Sequence, residues 1–169
     1  MSKSSAGERA LVPHEGVRAL SAYLDTHAVE HEIVEHDAAF TAASEARAAH
    51  VPPDEAAKTV VLHDEGAYLL ALIPASERLD LHKLRGLLGA SKSLRLASEA
   101  EIASHFEQFE LGSVPPVGKA VYAGEVVDTR LTQLDRVLCA AGDHRHSVNV
   151  APADIVRLAG ARVGDICED

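Results

Sequence analysis

Three stretches of the chain combine residue types that can do chemistry. The first is Ala57-Lys58-Thr59-Val60-Val61-Leu62, where one cation opens an otherwise apolar, β-branched run. Such a lysine is either a strand-end side chain reaching water or a compact charge aimed at a phosphate or a reacting ester. The second is Gly112-Ser113-Val114-Pro115-Pro116-Val117-Gly118. Adjacent prolines fix φ and flanking glycines permit close approach. This loop is therefore either a stiff connector or a frame that points backbone N–H groups at a ligand. The third is Gly142-Asp143-His144-Arg145-His146. Histidines at i and i+2 on a strand share a face, as a metal pair would. Nothing nearby supplies a convincing third ligand, and no metal is expected.

Other chemistries lack their signatures. There is no GxSxG elbow, no Walker loop and no dinucleotide glycine fingerprint. Cys139 and Cys167 form no CxxC pair, which suits a reducing compartment and two ordinary thiols. No cofactor is expected. The net charge of −10, from 16 basic against 26 acidic residues, excludes a protein that coats nucleic acid, because phosphate affinity needs concentrated Lys and Arg. It still allows one that grips only the tip of an RNA. One window runs the other way: Arg78, Lys83, Arg85, Lys92 and Arg95 stand against a single acid, Asp80. That window reads as a local positive patch or as a solvated helix face.

The elements that must position these stretches follow from periodicity and punctuation. Residues 1–12 read as a flexible leader and 13–169 as one domain, with Pro13 opening a helix that carries Val17, Leu20 and Leu24 on one face. Val29–Glu35 reads as a strand. Thr41–His50 reads as an alanine-rich helix capped by Thr41, and Pro52-Pro53 as a short turn. Lys58–His63 and Ala67–Ile73 form a hairpin around Asp64–Gly66. Asp80–Leu88 is a helix stopped by Gly89, and Leu94–Ala97 a short strand. Ser98 and Glu101 have capping-box spacing ahead of a helix to about Phe106. Glu125–Asp128, Val137–Ala141 and His146–Val150 read as strands, and Pro152–Leu158 as the last helix. The expected fold class is α+β: a single domain built on a mixed, largely antiparallel sheet with surrounding helices. With 47% hydrophobic residues but no Trp and only 4% aromatics, its core must be aliphatic. No apolar run approaches the roughly 18 residues of a membrane span, and the polar start of the chain lacks a signal peptide's apolar stretch. A cytoplasmic protein with no membrane partner is the expectation.

Taken in order and spacing, these segments resemble the YbaK/ProX family of aminoacyl-tRNA deacylases, whose fold is shared by the editing domain of bacterial prolyl-tRNA synthetases. The stretch around Lys58, the Gly112–Gly118 loop, Val126-Val127-Asp128, and Ala140 to Gly160 with its Val150-Ala151-Pro152-Ala153-Asp154 carry the resemblance. It runs from about Val17 to Ile166. The resemblance implies a hydrolase that deacylates mischarged aminoacyl-tRNA in trans, with the acceptor end as substrate and a synthetase as a further partner. By the same resemblance Lys58 is the required catalytic lysine, holding the terminal phosphate or ribose. Gly112 and Pro116 match a GxxxP loop that, with Ser113, Val114 and Pro115, cradles the substrate. Water, helped by a substrate hydroxyl, attacks without a protein nucleophile. Ala140 stands where the cysteine-specific branch has Ser and the alanine-specific branch His, and His36 where the cysteine-specific branch has Tyr. These two, with Gly142 and His144, are the remaining candidate substrate contacts, and the substrate amino acid stays open. The competing readings are a binding module for aminoacyl-tRNA or an aminoacylated adenosine that does not hydrolyse it, and a metal hydrolase using His144 and His146.

Overall fold

The computed structural model describes residues 15–117 and 123–169. The expected leader, Pro13 and Gly118 lie outside these residues. Helix α1 (Glu15–Thr26) buries Val17, Leu20 and Leu24 on one face. Strand β1 (His31–Glu35) leads to α2 (Ala42–Ala48), which starts in a capping box: the Ser44 N–H donates to Thr41 Oγ1 at 3.1 Å, and the Thr41 N–H donates to Ser44 Oγ at 3.1 Å. A single 3₁₀ turn, Pro53–Glu55, precedes the hairpin of β2 (Ala57–Asp64) and β3 (Ala67–Pro74). Its two turn residues, Glu65 (φ 47°) and Gly66 (φ 87°), are both left-handed, the geometry that matches strand twist in a two-residue hairpin.

Helix α3 (Leu81–Leu88) is capped by Asp80 and stopped by Gly89 at φ 65°. Strand β4 (Arg95–Leu96) is followed by α4 (Glu99–His105), whose Ser98/Glu101 capping box is present. Strands β5 (Gly124–Asp128), β6 (Val137–Ala140) and β7 (His146–Val150), helix α5 (Pro152–Ala159) and β8 (Arg162–Gly164) complete the described chain.

The strands form two sheets rather than one. Strands β1, β7 and β6 make an antiparallel three-stranded sheet, and β4-β2-β3-β5-β8 make a five-stranded one. In the larger sheet β3 pairs with β5, and β5 with β8, in parallel. Strand β8 occupies the edge beside β5, and the β6–β7 hairpin pairs with β1. A parallel bridge between Ala56 and Leu138 joins the two sheets beside the start of β2. The larger sheet is buried on both faces. Leu70, Leu72 and Val127 pack toward α1 and α5, whereas Leu62, Ala71, Ile73 and Val126 pack toward Leu84, Leu94 and Ile166. Strand side chains alternate, so two-sided burial demands the unbroken apolar run seen in β3. A third cluster of small residues, Ala46, Ala56 and Ala75 with Leu138, lets α2 approach the junction of the sheets closely.

At the far end Asp128 is 0% exposed and holds the C-terminal segment. It accepts hydrogen bonds from the backbone N–H groups of Arg130 (2.8 Å) and Ile166 (2.9 Å), the Arg130 guanidinium (3.2 Å) and the Cys167 thiol (3.3 Å).

Candidate functional site

A cleft of about 340 Å³ opens at the junction of the two sheets. Lys58 and Thr59 of β2 form one wall, the first turn of α2 with Glu45 another, and Gly112 and the end of β6 at Ala140 complete it. Phe40, 66% exposed, stands at the rim. The lining is otherwise small, with Ala42, Ala43, Ala57, Ala75 and Ala140 leaving the space open. Three sequence candidates from distant parts of the chain, Lys58, Gly112 and Ala140, thus meet.

Lys58 Nζ donates to the backbone carbonyl of Glu77 at 3.0 Å and makes no ion pair among the described residues. It also borders a second depression of about 300 Å³, with Arg78 and Glu168 beside it and Ile73, Leu79 and Leu96 as an apolar floor. The lysine therefore stands between two open spaces rather than simply reaching water. The neighbouring Thr59 hydroxyl is buried with no hydrogen-bond partner among the described residues. A buried polar group left open costs stability unless something satisfies it, and this one borders the cleft.

The other candidates are dispersed. Gly112 (φ 87°) turns the chain past the Phe40 carbonyl, but Ser113, Val114, Pro115 and Pro116 then run inward and are buried. Val114 joins the main core and Pro115 packs near Leu20 and Tyr23. Among the described residues of the loop, only Gly112 thus faces the cleft. Gly142 (φ 127°) is a packing position, since a Cβ there would meet α1 at Gly16 and Val17 within 3.1 Å. His144 sits behind the rim. Its Nε2 lies 2.7 Å from the Leu111 carbonyl, and its ring rests 4.5 Å from that of Phe40. His146 points elsewhere, pairing with Asp143 at 2.8 Å. The two histidines are engaged separately and share no ligand-like focus.

His36 is 8% exposed and belongs to a buried chain that the sequence reading missed. Its Nδ1 lies 2.7 Å from the Asp37 carbonyl and its Nε2 2.8 Å from Ser147 Oγ. Ser147 in turn donates to Glu45 Oε2 at 2.6 Å, and Glu45 reaches the cleft. Burial pushes the Glu45 carboxyl up to about 7, opposed by the Ser147 hydrogen bond. The signal for Glu45 was its place in the stripe Ala42, Glu45, Ala46, Ala49, a helical apolar spacing with one acid in it. Ser147 lies opposite Ala140 in the β6–β7 register, which ties the buried chain to the cleft floor.

The thiols are poor nucleophiles. Burial and the charges of Glu45 and Glu125 hold Cys139 well above its ordinary value, and burial with the Asp128 contact pushes Cys167 up to about 12. The basic window is neutralised in part: Lys83 meets Asp165 and Asp169, Arg95 meets Glu101, and Arg85 donates to backbone carbonyls. Among the described residues no helix is long and apolar enough to cross a membrane.

The model of the aminoacyl-tRNA editing domain matches residues 36–158, most of the chain. The chain belongs to that family. The match spans His36, Glu45, Lys58, Gly112, Ala140 and Ser147, so the whole cleft lies inside the editing domain. Among solved structures, a candidate trans-editing enzyme for prolyl tRNA synthetase is 29% identical, with a TM-score of 0.80 over 94% of this chain and 100% of that one. A hypothetical protein is 25% identical, with a TM-score of 0.80 over 89% and 99% of the two chains. A third, from work on grafting epitopes onto scaffold proteins, is 27% identical, with a TM-score of 0.79 over 92% and 98%. A search of the curated proteins finds no match.

Proposed function

We propose that this editing domain hydrolyses the ester joining an amino acid to the terminal ribose of a mischarged tRNA, acting in trans. The convergence of Lys58, Gly112 and Ala140 on one cleft within the editing domain carries this reading. At about 340 Å³ the cleft lies at the low end of ligand pockets, which run roughly 300–1,000 Å³. That suits an aminoacylated terminal nucleoside and excludes an RNA helix. The alanine lining receives a small side chain. Lys58, without an ion pair among the described residues, holds the terminal phosphate or ribose. Arg78 and the apolar floor beside it receive what precedes the terminal adenosine. With no thiol activated, water is the nucleophile, and rate enhancement comes from positioning and from donors facing the developing oxyanion. The structural likeness to a candidate trans-editing enzyme for prolyl tRNA synthetase supports action beside such a synthetase.

The test is a deacylation screen with tRNAs charged with alanine, serine, cysteine and a slightly larger amino acid, on wild type and Lys58→Ala. Wild type should release at least one of them. Lys58→Ala should lose activity by a thousandfold or more with an unchanged melting curve, since a strand-end lysine packs little. Near-wild-type turnover by the folded variant would remove Lys58 from the mechanism. Binding of aminoacyl-tRNA without release would instead make the domain a recognition module.

A further inference from the structure

We propose that Glu45 takes the proton from the attacking water in the cleft, and that Ser147 and His36 form the buried chain that keeps its carboxylate available. This rests on the deacylase reading above and adds to it a group that the Lys58 assignment does not supply.

Hydrogen-bond bookkeeping carries the inference. The Asp37 carbonyl can only accept, so His36 Nδ1 bears a hydrogen. His36 Nε2, Ser147 Oγ and Glu45 Oε2 are then linked by contacts of 2.8 and 2.6 Å through a hydroxyl that has one proton to give. Ser147 gives that proton to Glu45 Oε2, and the second carboxyl oxygen, Oε1, is left to gain or lose a proton without breaking the chain. His36 braces the hydroxyl from behind, its Nε2 3.9 Å from Glu45 Oε2.

The other groups around Glu45 do not replace it. Cys139 on β6 is held protonated, chiefly by burial and then by Glu45 and Glu125 on β5. Lys58 on β2 borders the same cleft with its ammonium on the Glu77 carbonyl. A carboxyl lifted to about 7 is close to the ideal for a base at neutral pH.

The step balances without a co-reactant. The water oxygen bonds to the ester carbonyl carbon while its proton passes to the Glu45 carboxylate. The tetrahedral oxyanion then collapses and the bond to the ribose oxygen breaks. That oxygen takes the proton back from Glu45 and leaves as a hydroxyl, and the freed amino acid loses its own acid proton to solvent.

The experiment is single-turnover deacylation against pH, using whichever of alanyl-, seryl- or cysteinyl-tRNA the wild type cleaves fastest. Wild type should show a rate limb rising with unit slope and levelling above about pH 7. Glu45→Gln should lose the limb and at least a hundredfold in rate, with KM little changed. Ser147→Ala should lower the plateau and move the midpoint to higher pH, because the hydrogen bond that lowers Glu45 is gone. The midpoint separates this role from a structural one, and it cannot come from the substrate's amino group, which is common to all variants. A folded Glu45→Gln that keeps the limb, or loses only KM, overturns the assignment. If Glu45→Gln does not fold, an unmoved midpoint in Ser147→Ala overturns it. A wild type inactive on these three tRNAs and on the one charged with a slightly larger amino acid would sink the deacylase reading itself, which the other outcomes leave standing.

Discussion

Glu45 and Asp128 are both buried carboxylates, 7% and 0% exposed, and their surroundings are opposites. Asp128 is saturated: two backbone N–H groups, a guanidinium and a thiol all donate to it, and the segment it holds is the end of the chain. Glu45 receives one hydroxyl, and an open cleft lies beside it. Donors decide what burial does to a carboxyl. A full set makes it a clamp, whereas too few leave desolvation in charge and a proton easily gained. The lifted value at Glu45 is thus the mark of a group short of partners, as working acids and bases commonly are.

Removing the clamp should have the largest effect. Asp128→Ala strands the Ile166 N–H and the Cys167 thiol and leaves Arg130 with Asp165 alone. Deleting one member of a buried charged network costs about 3 kcal/mol or more. Urea unfolding should show that loss, and a cost below 1 kcal/mol would mean that β8 and the tail are held by packing alone.

Glu45→Gln should do the reverse, in a pH-dependent way. The folded value of about 7 lies above the ordinary 4.5, so the folded state binds the proton more tightly. That preference stabilises fully below about pH 4.5 and is lost as pH rises through 7. Glutamine does not titrate. Its advantage should therefore be small at pH 4.5 and grow to the order of 3 kcal/mol at pH 8. Equal melting shifts at both pH values would show that Glu45 is not strained by its burial. A gain in stability with a loss of turnover is the usual exchange at a working site.

The smallest effect tests the space between these groups. Ala140→Leu enlarges a residue that borders the cleft opposite Ser147. Size discrimination is worth about 1–3 kcal/mol per methylene, so the variant should drop the larger members of the aminoacyl panel while keeping the pH limb. An unchanged order of rates across alanyl-, seryl- and cysteinyl-tRNA would place the amino-acid side chain elsewhere.

Local punctuation made most elements legible. Thr41, Asp80, Ser98 with Glu101, Glu65-Gly66 and Gly89 start, turn or stop the chain where their chemistry dictates. Strand β8 was not legible, because its three residues are half-buried or exposed and show no apolar alternation. The division into two sheets was hidden as well, since a side-chain pattern tells which face a strand buries and not which neighbour it pairs with. At the site, Lys58 stood out as a charge in an apolar strand. Glu45 sits among the alanines of α2, and only the packing of that helix shows that its carboxyl is inside. Ser147 is a small hydroxyl in a short strand, and its meaning depends on partners 102 and 111 residues away.

On the proposed reading, the resting contact of Lys58 also sets how the molecule meets RNA. Its ammonium leans on a neutral carbonyl, and two of the basic residues of the neighbouring window, Lys83 and Arg95, are already paired with acids. An incoming phosphate therefore displaces a dipole rather than a carboxylate, and no ion pair has to break. By the same arrangement few phosphates are neutralised, so few condensed counterions are set free on binding, and ionic strength has little hold on the encounter. On a chain of net charge −10, the body of the tRNA has to be presented by something other than this domain's own field.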